Sequence, residues 1–168
     1  MPAPDQSARF RDLLQRNQPR WVGIARAYAP PPDREDLLQE IALQVWKSLE
    51  AFDGRASIDT WAYRVALNTA LAWKRKAAGR ANKLPQAADD VNQLPGDGGS
   101  EEAVTRVLDQ FLASLSEADR AVMLIFLDGL PGGEAAEVLG VSEGAYRTRL
   151  SRLRTRFEET HSQPGAER

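Results

Sequence analysis

The chain has 168 residues, 42% hydrophobic and 27% charged, with a formal net charge of −2. That balance is globular rather than disordered, and the length suits one domain or two small ones. It contains no cysteine, which excludes disulfides and thiolate metal sites and suits a cytoplasmic protein.

No apolar run approaches the roughly 18 residues that span a bilayer. The opening MPAPDQSARFRD lacks the apolar segment of a signal peptide, so no direct membrane insertion is expected. From there the pattern is helical, with expected breaks at Asn17-Gln18-Pro19, at Ala29-Pro30-Pro31-Pro32 and around Asp53-Gly54. The proline triplet cannot continue a helix, whereas Asp33 after it can cap the next one. In that next helix Leu37, Leu38, Ile41, Val45 and Leu49 form one apolar face. The opposite face carries Asp36, Gln39, Glu40, Leu43 and Lys47, with Trp46 at its edge. An apolar centre rimmed by acids suits a protein-binding surface, and a covering helix from the same domain accounts for it equally well.

The helix expected over Ile58–Lys76 is apolar nearly all round, which places it mid-bundle and most of its tryptophans in the core. Its polar stripe is Arg64, Asn68 and Arg75, with Trp61 adjoining. Between Thr60 and Ala88 there is no acid, while Arg64, Lys74, Arg75, Lys76, Arg80 and Lys83 are present. Aromatic and basic side chains interleaved in this way suit single-stranded nucleic acid, where bases stack and phosphates pair. Residues 81–100, rich in Pro, Gly, Asn and Asp, read as a linker.

Beyond it, Ser116 is the cap of a helix ended by Asp128-Gly129, and a second short helix covers Glu134–Leu139. Gly140-Val141-Ser142 then makes a tight turn, with Gly140 at positive φ and Ser142 capping the next helix. In SEGAYRTRLSRLRTRF, residues 142–157, the apolar stripe is Tyr146, Leu150, Leu153 and Phe157. Opposite lie Gly144, Thr148, Ser151, Arg152 and Thr155, flanked by Arg147 and Arg154 on one side and Arg149 and Arg156 on the other. Small residues along a crest with arginines on both shoulders fit a DNA major groove. Helix, glycine turn and arginine-rich helix make a helix-turn-helix. No alternating strand pattern of useful length occurs, so the fold class is all-α, in two small helical domains. Local signs of an enzyme are missing: the single histidine, His161, sits in the tail, and Gly96-Asp97-Gly98-Gly99 lacks the flanks of a phosphate loop.

DREDLLQEIALQVWKSLEAFDGRASIDTWAYRVALNTALAWKRK resembles region 2 of bacterial RNA polymerase sigma factors, and LSEADRAVMLIFLDGL with AAEVLGVSEGAYRTRLSRLR resembles their region 4. With only a linker between them, the chain resembles the extracytoplasmic-function (ECF) class. The resemblance implies a region 2 domain at 5–80, a linker at 81–100, a region 4 domain at 101–160 and a tail at 161–168. It implies binding to core RNA polymerase, through the β′ clamp helices and the β flap, and to promoter DNA. An anti-sigma factor is a further implied partner, no cofactor or metal is, and the work would lie in the bacterial cytoplasm at the nucleoid. Asp36, Leu37, Gln39, Glu40 and Leu43 match polymerase-binding positions. Phe52, Arg55, Ser57, Trp61, Arg64, Asn68, Lys74, Arg75 and Lys76 fall on the −10 element. Ser142, Arg147, Thr148, Ser151 and Arg152 fall on the −35 element. The linker acids Asp89, Asp90 and Asp97 would thread toward the path of nascent RNA. Gly132-Gly133 stands where family members carry an aromatic and an acid, which implies a short or frayed first helix in the helix-turn-helix. Ala145-Tyr146 replaces a common Thr-Val pair. The alternative function is a stand-alone helix-turn-helix regulator that needs no polymerase.

Overall fold

A computed structural model describes residues 5–81 and 100–162. The linker acids Asp89, Asp90 and Asp97 and the end of the tail lie outside the described residues. Within them the protein is entirely helical, in two bodies. The first comprises α1 (Gln6–Tyr28), α2 (Arg34–Ser48) and α3 (Ile58–Ala81); the second comprises α4 (Ser100–Ser114), α5 (Glu117–Leu127), α6 (Gly132–Leu139) and α7 (Glu143–His161).

The expected break at Asn17-Gln18-Pro19 does not occur, and α1 runs straight through Pro19. An internal proline costs about 3 kcal/mol through its missing N–H and the clash with the preceding turn. Here both flanks are anchored: Leu13, Trp21 and Ile24 are fully buried on one side of the helix. Asn17, only 1% exposed, donates to the Leu13 carbonyl (2.9 Å) and to the Asp59 carboxylate of α3 (2.6 Å). Burial of that face outweighs the local penalty. The proline triplet does end α1, and Pro31–Asp33 form a 3-10 turn leading into α2. Asp33 makes no side-chain capping bond, because its backbone is already helical.

The apolar face of α2 is core, with Leu37, Ile41, Val45 and Leu49 fully buried against α1 and α3. In α3 the buried positions are Ala62, Tyr63, Ala66, Leu67 and Ala70. Small residues there let α1 and α2 close in on both sides. The α3 tryptophans depart from expectation: Trp61 and Trp73 are half-buried, as is Trp46 of α2, while Trp21 of α1 is fully enclosed. Each of the three keeps part of its ring at the surface, where a bundle this thin leaves no second layer to cover it.

In the second body the local signals are realised as read. Ser116 Oγ accepts from Asp119 N–H at 3.2 Å, and Ser142 Oγ accepts from Ala145 N–H at 3.1 Å. Gly129 and Gly140 have φ of 73° and 67°, a region that side-chain-bearing residues rarely adopt. The first helix of the helix-turn-helix is not frayed. It starts two residues before the expected Glu134, with Pro131 at its N-cap and Ala135, Ala136 and Val138 buried.

Candidate promoter and polymerase interfaces

Three surfaces emerge. On α2, Asp36, Gln39 and Leu43 are exposed, Leu43 at 42%, while Glu40 is half-buried. Leu37, which the resemblance also matches to a polymerase-binding position, lies on the opposite face, fully buried in the core. Glu40 accepts from Gln44 Nε2 at 2.8 Å, which fixes its carboxylate along the helix. Trp46 stacks edge-on against Phe10 with ring centroids 5.3 Å apart, so α1 covers the indole and leaves Leu43 open.

The second surface lies where the loop after α2 meets the start of α3. Gly54, at φ 77°, turns the chain, and Ser57 starts α3: its Oγ accepts from Thr60 N–H (3.1 Å) and donates to Thr60 Oγ1 (2.7 Å). Ser57 is therefore a helix cap, with its hydroxyl committed to Thr60. The turn brings Phe52 to Trp61, centroids 5.3 Å apart and planes tilted by 50°. Phe52, Asp53, Arg55, Trp61 and Arg64 line a cavity of about 360 Å³. Arg55 is held by Asp53 at 3.0 Å, its N–H also bonding that carboxylate at 3.1 Å. An aromatic pair beside two guanidinium groups can stack a flat apolar ring and neutralise a phosphate.

Asn68 does not join that cavity. It lies two turns along α3, exposed, and lines a groove of about 560 Å³ with Glu40, Trp73, Lys76 and Arg80. Arg75 and Lys76 are exposed; Lys74 is half-buried, and burial, assisted by the Arg120 guanidinium, lowers its pKa. The nine residues assigned to the −10 element thus divide into a pocket (Phe52, Arg55, Trp61, Arg64), a cap (Ser57), a basic strip (Lys74, Arg75, Lys76) and Asn68 in a separate groove.

The third surface is α7. Tyr146 and Leu153 are buried and Leu150 and Phe157 half-buried, while Gly144, Thr148, Ser151, Arg152 and Thr155 are all exposed. Burial pushes the Tyr146 hydroxyl pKa up. Arg147 and Ser151 face one shallow groove, Thr148 and Arg152 the neighbouring one. Pairing among the arginines was not visible in the periodicity. Arg149 binds Asp119 at 2.5 Å, Arg154 lies over the Phe126 ring at 5.7 Å, and Arg147 pairs with Glu143. Among the described residues, Arg152 and Arg156 meet no carboxylate at salt-bridge distance. Gly132 has a place in this arrangement. A Cβ there would lie 3.0 Å from the Glu143 carboxylate, so the glycine gives the Glu143–Arg147 pair its room. Ser142 is the α7 cap rather than a groove-facing side chain.

No group of three or more His, Cys, Asp or Glu that could hold a metal occurs among the described residues, and no described helix is long and apolar enough to cross a membrane.

Residues 13–80 match sigma-70 region 2 and residues 105–157 match sigma-70 region 4, so each helical body carries one match. The chain belongs to the sigma-70 family, as one of its ECF sigma factors. It is 29% identical over 167 residues to the ECF RNA polymerase sigma-E factor of Escherichia coli K12, covering 89% of this chain and 84% of that protein. To the sigma-E factor of Haemophilus influenzae it is 27% identical over 161 residues, covering 89% and 85%. Among solved structures it resembles the sigma factor RpoE of Bartonella quintana in complex with the anti-sigma factor NepR. There the TM-score is 0.73 at 22% identity, over 92% of this chain and 98% of that one. CnrH in complex with the cytosolic domain of CnrY gives a TM-score of 0.68 at 25% identity, over 93% and 88%. The protein directs transcription initiation through regions 2 and 4 and is not an enzyme. A stand-alone regulator is decided against, because such a protein has no use for region 2.

Proposed function

We propose that the two bodies divide promoter reading between them and that α2 provides the polymerase contact. Asp36, Gln39, Glu40 and Leu43 meet the β′ clamp helices, and the second body meets the β flap. A base of the −10 element, unpaired from its partner strand, enters the Phe52–Trp61 pocket, with Arg55 and Arg64 at its phosphates. Arg75 and Lys76 hold the backbone beyond it. Thr148, Ser151 and Arg152 face base edges of the −35 element, and Arg147 and Arg156 face its phosphates. An anti-sigma factor holds the protein inactive, and the work is done at the nucleoid in the bacterial cytoplasm.

The observation that carries this reading is the aromatic pair at the turn into α3. Phe52 and Trp61 sit at stacking distance in a cavity of about 360 Å³ walled by two arginines, an arrangement that core packing does not require. Mutation of α2 tests the polymerase half. Asp36→Lys with Glu40→Lys should abolish assembly with core polymerase and leave helix content unchanged, since neither residue is in the core. A double variant that assembles normally would sink the assignment of this face. For the pocket, Trp61→Ala should cost run-off transcription with core polymerase about ten-fold or more, the loss of one stacked base.

A further inference from the structure

Residues 142–157 hold a single acid, Glu143, and it stands in the first turn of α7. In a helix lying in a major groove, the N-terminal residues are the ones that contact base edges. A carboxylate is repelled by the phosphates there, so its presence calls for a use on the protein's own side. An acid at a helix N-terminus does meet the positive end of the dipole, and an exposed pair one turn apart adds little stability. Neither effect needs the particular seat that this carboxylate has.

Glu143 accepts from Arg147, one turn along, and the pair rests against the start of α6. A Cβ on Gly132 would stand 3.0 Å from one carboxylate oxygen, 3.5 Å from Glu143 Cγ and 3.6 Å from Arg147 Nε. A Cβ on Gly133 would stand 3.9 Å from the other oxygen. Both members of the pair therefore use space that any side chain at position 132 would claim. Pro131, the N-cap of α6, makes no side-chain capping bond, so the positive end of a second helix also faces the carboxylate. Glu143 is thus held from two helices at once, and Arg147, 72% exposed, is held through it. On the other shoulder of α7, Arg149 is fixed in the same manner by Asp119 of α5, at 2.5 Å.

We propose that Glu143 is a positioning residue for −35 recognition: seated on Gly132, it aims Arg147 at one phosphate and so sets the register of α7 in the groove. The proposal rests on the −35 reading of α7 given above. Phosphate contacts carry no sequence information directly, but they fix where along the duplex a helix sits. A long, exposed arginine left to itself reaches several phosphates, and α7 then settles in more than one register. Arg147 lines one groove with Ser151, and Thr148 and Arg152 line the next, so bracing Arg147 gives these neighbours one set of base edges. Glu143 gives up some attraction for DNA and gains discrimination between sequences.

The test is a selection by the full-length protein bound to core polymerase. Its DNA is a duplex library randomised over the −35 segment of one promoter that this holoenzyme transcribes. Sequencing the bound fraction gives the enrichment of preferred −35 sequences over the library mean. Glu143→Ala should lower that enrichment about ten-fold, one base pair's worth of discrimination, while binding to the average member does not fall. Arg147→Ala should weaken binding to every member and lower the salt dependence by about one phosphate. Because Glu143 acts through Arg147, adding Glu143→Ala to Arg147→Ala should change the enrichment no further. Gly132→Val keeps the charge but takes its seat, and should lower the enrichment as Glu143→Ala does, with helix content unchanged by circular dichroism. An unchanged enrichment with Glu143→Ala overturns the proposal, as does an equal further loss in the Arg147→Ala background. A loss with Glu143→Ala and none with a folded Gly132→Val overturns the seating and leaves a bare charge effect. Failure of the −35 reading looks different: Ser151→Ala and Arg152→Ala would then leave the enrichment at the wild-type level.

Discussion

Replacing Arg120 by Met tests how far one side chain organises the second body. Arg120 is 6% exposed, and its guanidinium is spread over backbone carbonyls: Leu112 at 2.8 Å, Ala113 at 3.2 Å, Leu115 at 3.3 Å and Ala27 at 2.9 Å. Three of these belong to the end of α4 and its connection to α5, where a helix terminus leaves acceptors without intrahelical partners. The guanidinium also lies 5.4 Å from the Tyr28 ring centre. Met keeps the length of the stem but donates nothing, so carbonyls at a largely buried site lose their partner. One hydrogen bond to a charged donor contributes about 1.5–3 kcal/mol net. The four share one side chain and do not add, and water can reach the outer ones, so the expected loss is about 3–4 kcal/mol, against 3–5 for breaking a buried charged network. With a urea slope of about 2 kcal/mol/M the unfolding midpoint should fall by about 1.5–2 M. Circular dichroism through a urea titration measures it. Lys in place of Arg keeps the charge but not the planar fork, and should fall between the two. A Met variant within about 0.5 kcal/mol of wild type, the range of an ordinary surface change, would refute the reasoning.

Gly133→Ala should stabilise α6 by about 0.4–1 kcal/mol, because the new methyl meets only the Glu143 carboxylate at 3.9 Å. Gly140→Ala should cost about 1–2 kcal/mol, since its backbone is left-handed at φ 67°; thermal unfolding separates the two signs. Arg152→Ala should lose about 1–3 kcal/mol of base discrimination in the −35 element. Arg156→Ala should instead weaken all sequences alike and lower the salt dependence by about one phosphate, read by polymerase-dependent promoter binding at several salt concentrations. Burial pushes the Tyr28 and Tyr63 hydroxyls well above their usual range, Tyr63 further raised by the Asp128 carboxylate. Above about pH 10 the unfolded chain sheds those protons while the folded chain keeps them, so stability falls as pH rises, by up to about 1.4 kcal/mol per pH unit for each tyrosine. Tyr63→Phe should remove one tyrosine's share of that slope in urea titrations between pH 9 and 11.

What the sequence by itself determined is what depends on neighbours along the chain. The Ser116 and Ser142 caps, the turns at Gly129 and Gly140 and the apolar stripe of α7 involve residues within a few positions of one another, so spacing alone specifies them. The Phe52–Trp61 pairing is nearly as local, bridging one turn. Tertiary structure decided the rest. The helix signal broken at Pro19 is restored by a core that only the folded chain assembles, through Asn17 and Asp59, 42 residues apart. The resemblance matched Leu37 to a polymerase-binding position, whereas packing against α1 and α3 buries it, as its place on the apolar face of α2 implied. Periodicity also treated the four shoulder arginines of α7 alike, yet Asp119 and Phe126, from another helix, engage two of them. Likewise nothing in the pattern joins Tyr63 to Asp128 across 65 positions. Periodicity reports which side of a helix is apolar. Which surface meets it, and whether a charge on the other side faces water or a partner, is set by contacts between residues far apart in the chain, and those exist only once the helices have packed.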